Sequence, residues 1–148
     1  MNTKLIFAYL GLFLLLFAEC SFAGILTDNS DGTVSDNATL LMWQQAEGGA
    51  MTWSSALTYC EGLSLGGYNN WRLPNYKEIM SLFDDSKSVE PAINTKVFPN
   101  AQLWYWSSTT YINQKSAAHT AYFGIVTYGS AATKSLGNIY VRCVRGGQ

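Results

Sequence analysis

From Leu5 to Ala18 the chain is almost continuously apolar, and beyond Gly24 that texture gives way to short runs in which apolar and polar positions alternate. The apolar run is too short to span a bilayer comfortably. It follows a basic start, Met1 to Lys4, and precedes Ser21-Phe22-Ala23, a small-x-small pattern. These features predict an export leader cleaved after Ala23, leaving residues 24–148 as a single domain. Acylation at Cys20 is the competing reading, but Glu19 stands where a small residue is expected. Residues 25–28 and 33–36 flank Asn29-Ser30-Asp31-Gly32, a hairpin signal, and residues 39–43 predict a further strand. Over residues 52–63, Trp53, Ala56, Leu57, Cys60 and Leu63 recur at spacings of three and four. That is a helix with Thr52 at its cap and Cys60 on its buried side. A second helix starts at Asn75, where Glu78 completes a variant capping box, and Tyr76, Ile79, Met80 and Phe83 form its apolar face. Residues 86–101 hold Pro91 and Pro99 without periodicity and predict a long ordered loop. Strand texture returns at residues 103–109, 118–127 and 139–145. In the last run Ile139, Val141 and Cys143 face one way, and Tyr140, Arg142 and Val144 the other. Strands, two helices, a long loop and more strands make an α+β domain with an antiparallel sheet.

Charge and cysteines narrow the picture. A net charge of −1 with 13% charged residues argues against a general nucleic-acid binder, and no second apolar stretch is long enough for a membrane span. Once Cys20 leaves with the leader, Cys60 and Cys143 remain as an even pair in an oxidising compartment. A disulfide is the leading reading, closing a loop of more than eighty residues for a stabilisation on the order of 4 kcal/mol. Metal binding is the weaker alternative, since two distant cysteines without a histidine cluster make a poor zinc site.

Several segments, in order, resemble one family. They are Asp31-Gly32-Thr33-Val34 with Asp36-Asn37, Leu41-Met42-Trp43, Thr52-Trp53 with Ala56, and Tyr59-Cys60. Then come Gly66-Gly67-Tyr68 with Trp71-Arg72-Leu73-Pro74-Asn75, Tyr105-Trp106-Ser107-Ser108-Thr109, and Tyr140-Val141-Arg142-Cys143-Val144-Arg145. Together they resemble the Lcl C-terminal domain family over nearly the whole exported chain. The resemblance implies a C-type-lectin-like fold, with two helices packed on antiparallel sheet, neighbouring termini and a long loop region. In that fold a disulfide commonly ties the first helix to the last strand, which here implies Cys60 and Cys143. It also implies adhesion or ligand binding at a cell surface, including binding of sulfated glycans in the adhesin that named the family. That functional step is association, because fold does not fix function.

The candidate chemistry follows. Lectins of this fold often hold sugar through calcium at Glu-Pro-Asn and Trp-Asn-Asp motifs, but here Ala92 follows Glu90-Pro91 and no Trp-Asn-Asp occurs. Asp28, Asn29, Asp31 and Asp36 mimic a calcium loop, yet Thr27 and Ala38 would occupy its end ligand positions, so a turn is the better reading. No metal or other cofactor is expected. In the stretch GGYNNWRLPN, Trp71, Leu73 and Pro74 read as core and helix entry beside Asn75, with Trp53 a further structural residue. Tyr68, Asn70 and Arg72, with Asn69, are the ligand candidates. Trp104 and Trp106 face one side of their strand, and a surface including Tyr111, Tyr122 and Tyr128 would suit stacking on a sugar. Arg142 and Arg145, with Lys115 and Lys134, are candidates for an anion-binding patch. His119, the only histidine, has no nucleophile motif beside it.

Three functions compete: a secreted non-catalytic module binding a glycan or surface polymer, an interaction subunit of an exported assembly, and an enzyme of the formylglycine-generating type. The third needs reactive cysteines, which the disulfide reading removes. The partner is thus expected to be a glycan or a protein at the cell surface, with oligomers compatible.

Overall fold

A computed structural model describes residues 26–125 and 130–146. The expected export leader, Cys20 and Tyr128 lie outside the described residues. The architecture is α+β, built on two sheets and two short helices. β1 (Leu26–Asp28), β2 (Thr33–Asp36) and β3 (Leu41–Gln44) form antiparallel hairpins, and β9 (Val144–Gly146) closes this four-stranded sheet against β3. The first and last described strands therefore share one sheet.

The second sheet runs β4-β8-β5-β6-β7. It comprises β4 (Ala50–Met51), β5 (Trp104–Thr110), β6 (Ala117–Tyr122), β7 (Ser130–Thr133) and β8 (Ile139–Tyr140). Its pairs are antiparallel except β5 with β8. β4 and β7 were not legible as strands: one is two residues long, and the other is the small-residue run Ser-Ala-Ala-Thr.

Helix α1 (Trp53–Glu61) starts at Thr52, whose side chain accepts the Ser55 N–H. The Asn75–Glu78 capping box starts α2 (Tyr76–Met80) as the spacing predicts. The helix is shorter than its apolar pattern. Leu82 and Phe83 donate to Ile79 and Met80 in three-residue turns, and Asp84 N–H leaves for Ala92 O. Leu82 thus reaches the core from a turn.

Two cores result. One gathers Val34, Trp43, Ile79, Phe98, Tyr105 and Val144; the other gathers Ala56, Cys60, Trp71, Trp106, Val141 and Cys143. Strand alternation delivers Tyr105 to the first and Trp106 to the second, so both faces of β5 are covered. The run 139–145 behaves likewise and is not one strand. It leaves β8, pairs its 141–143 backbone with the 44–49 segment through Gln44 N–H to Cys143 O and Gly48 N–H to Val141 O, and resumes as β9 in the other sheet. The Cys60–Cys143 disulfide ties α1 to this crossing, as expected. Burying it also leaves neither sulfur exposed.

Candidate functional site

Burial sorts the candidates first. Trp71 and Leu73 are core residues, and the Trp71 indole N–H is shared between Leu65 O and Tyr68 O at 3.2 Å each. Leu65 and Tyr68 also exchange both backbone hydrogen bonds at 3.0 Å. The buried indole therefore clamps a tight turn from beneath while Tyr68 stands 41% exposed above it. Gly66 in that turn has φ +60°, and a Cβ there would lie 2.7 Å from Thr33 Cγ2, so this close approach requires glycine. Pro74, buried, accepts Ser108 N–H at 2.8 Å.

Arg72 is occupied structurally. Its Nη1 and Nη2 donate to Glu78 Oε2 and Oε1 at 2.7 Å each, and Nη2 also reaches Gly146 O at 3.2 Å. Glu78 Oε2 further accepts the Asn75 N–H. Burial pushes the Glu78 carboxyl up, but the Arg72 and Asn75 hydrogen bonds and the Arg72 charge outweigh it and hold the group below its ordinary value.

Arg142 was expected at the surface and lies in the interior, fully buried. Its Nη1 donates to Gln44 O at 2.7 Å and to Gln45 O, while Nη2 sits 3.4 Å from both Glu47 Oε1 and Tyr105 Oη. The guanidinium stacks 4.4 Å from the Phe98 ring centroid. Tyr105 Oη donates to Glu47 Oε1, and burial pushes the phenol up to about 12 despite the Arg142 charge. The reason is that both sides of this run are covered: opposite Cys143 the chain meets the core that holds Phe98 and Tyr105. Glu47, the carboxylate that receives Arg142, carries no sequence signal, because it lies in an irregular segment 95 residues away.

Arg145 does reach the surface, and the fold brings it to Tyr68 and Asn70. Its guanidinium carbon lies 3.6 Å from the Tyr68 ring centroid, and Nε donates to Asn70 Oδ1 at 2.8 Å. Nη1 has only a weak contact with Met42 Sδ at 3.8 Å. Among the described residues, Arg72 and Arg142 each pair with a carboxylate and Arg145 does not. Two candidate groups 75 residues apart in sequence are thus one site.

The aromatic candidates separate. Trp106 is fully buried and donates its indole N–H to Met51 O at 2.8 Å. Tyr111 packs edge-on to His119, which also meets Tyr76, on the α2 side of the sheet. Trp104 and Tyr122 pair across β5 and β6 on the other face. Lys134 covers Trp53 at 4.0 Å, donating to Thr110, and Lys115 is exposed on the β5–β6 turn. The four-cation patch is therefore not assembled. Two clefts of about 410 and 290 Å³, beside Asp36 and Asp84 and beside Glu47, include none of the candidate ligand residues. Among the described residues, no helix is long and apolar enough to cross a membrane.

The elements and the disulfide define a small α+β domain of two sheets, with α1 stapled to the segment that crosses between them. The chain belongs to the Lcl C-terminal domain family, whose model matches residues 32–145. No curated protein and no solved structure matches the chain.

Proposed function

We propose that this chain is a non-catalytic binding module of an exported protein and that it recognises an acidic glycan or comparable surface polymer through Arg145, Tyr68 and Asn70. One observation carries the reading. Among the described residues Arg145 is held by a neutral ring and a neutral amide, with no carboxylate against it, so its charge and outer N–H edge remain for a ligand anion. A guanidinium fixed in advance forfeits little side-chain entropy on binding, and a charge-assisted hydrogen bond contributes about 1.5–3 kcal/mol. Export is supported by the leader-like residues 1–23 together with a buried disulfide. The disulfide also supports the non-catalytic reading, since Cys60 and Cys143 are withdrawn from thiol chemistry.

Affinity chromatography of the purified protein tests this on dextran sulfate, polygalacturonate and neutral dextran. Salt-reversible retention on an acidic resin but not on neutral dextran is the expected result. Equal behaviour on all three would discard the proposal.

A further inference from the structure

We infer that Trp104, braced on Tyr122, is a second binding site that takes the apolar face of a neutral sugar ring. The inference does not depend on the role of Arg145. It starts from the tryptophans, of which the chain has five. Trp53, Trp71 and Trp106 donate their indole N–H to backbone carbonyls, and Trp43 is fully buried. Trp104 alone is exposed, at 38%, and its N–H has no partner among the described residues.

That indole is nonetheless held in place. Trp104 sits opposite Tyr122 in the β5–β6 register, with ring centroids 4.4 Å apart and planes 29° from parallel. Tyr122 in turn lies flat against Gly124, where a Cβ would come within 2.3 Å of its ring atoms. A side chain at 124 would require the tyrosine ring to shift. Three residues past Tyr122, Ile125 is 52% exposed and its N–H is fixed by Glu90 Oε1 at 3.1 Å.

A rigid, exposed indole stacked on a phenol suits a pyranose. The electron-rich ring face attracts the weakly positive axial C–H groups of the sugar, and the free indole N–H can meet a ring hydroxyl. Proline-rich peptides instead dock in grooves between aromatic rings that stand apart. Here the two rings touch each other and leave no slot, so the sugar is the better fit.

Nitrogen-labelled full-length protein offers the test, because each indole N–H gives its own signal. Titration with cello-, manno- and xylo-oligosaccharides at millimolar concentration is expected to shift the Trp104 signal saturably with at least one of them. The signals of Trp71 and Trp106 stay in place and report the intact fold. Followed by calorimetry, since these variants lack the Trp104 signal, Trp104→Ala and Trp104→Leu are each expected to weaken that binding about tenfold, while Lys115→Gln leaves it unchanged. Leucine keeps apolar bulk against Tyr122 but removes the π face, so full binding by Trp104→Leu overturns the inference. It is equally overturned if no neutral oligosaccharide moves the Trp104 signal, or if only a polyproline peptide does.

Discussion

Arg142 and Arg145 stand three residues apart and have opposite surroundings. Around Arg142, two carbonyls, a carboxylate, a phenol and a phenyl face absorb the guanidinium, and water is excluded. Around Arg145 an amide and a tyrosine ring orient the group, and no carboxylate among the described residues offsets its charge. Orientation without neutralisation is what distinguishes a ligand-facing cation from a structural one. The odd spacing matters: the chain crosses between the sheets at 141–143, so the two side chains part, one inward and one outward.

The sharpest way to break this contrast is Arg142→Met. Methionine fills part of the space but removes the cation beside Glu47 and strands the Gln44 and Gln45 carbonyls, and a loss of about 3–5 kcal/mol in chemical denaturation is expected. A stable Arg142→Met protein would show that the interior node is not structural. The same node should govern the alkaline limb. Because burial raises the Tyr105 pKa from 10 to about 12, its contribution is complete below pH 10 and is lost as pH rises from 10 towards 12. Ultraviolet titration should find one phenol ionising late or together with unfolding, and Tyr105→Phe should remove that step.

On the exterior side, Glu78→Gln weakens the Arg72 pair and half of the capping box, for an expected loss of about 1 kcal/mol in thermal or chemical denaturation. The Glu78 pKa is lowered in the folded protein, so its stabilisation is present above the unfolded value of 4.5 and lost as pH falls through the folded one. The variant should therefore show a flatter acid limb than the parent. The smallest stability effect belongs to Arg145→Gln, within about 0.5 kcal/mol, because a half-buried surface cation with no ion-pair partner among the described residues contributes little.

Local signals in the sequence were read correctly and their surroundings were not. Thr52, Asn75 and Glu78 determine helix starts within a few residues, so the caps are visible without tertiary information. Alternation also assigned the right neighbours: Ile139, Val141 and Cys143 share one core, while Tyr140, Arg142 and Val144 approach the other. The missing fact was that both sides are covered. Trp106 and Arg142, expected among the ligand-facing residues, lie where both sides of the backbone are covered, whereas Trp104 at the start of β5 keeps 38% exposure. The site itself is a long-range product. Nothing near Asn70 points to Arg145; the clamped turn over Trp71 and the antiparallel bridge in which Arg72 and Val144 exchange backbone hydrogen bonds at 2.9 Å bring them together.

The most direct test compares dextran sulfate affinity for the parent, Arg145→Gln and Lys115→Gln, with thermal unfolding recorded for each. Both variants remove one positive charge at the surface, so net charge alone would weaken them equally. A loss of about tenfold or more is expected for Arg145→Gln, with little change for Lys115→Gln and unaltered unfolding for both. Equal losses in the two variants, or parent-like binding by Arg145→Gln, would contradict the role proposed for Arg145.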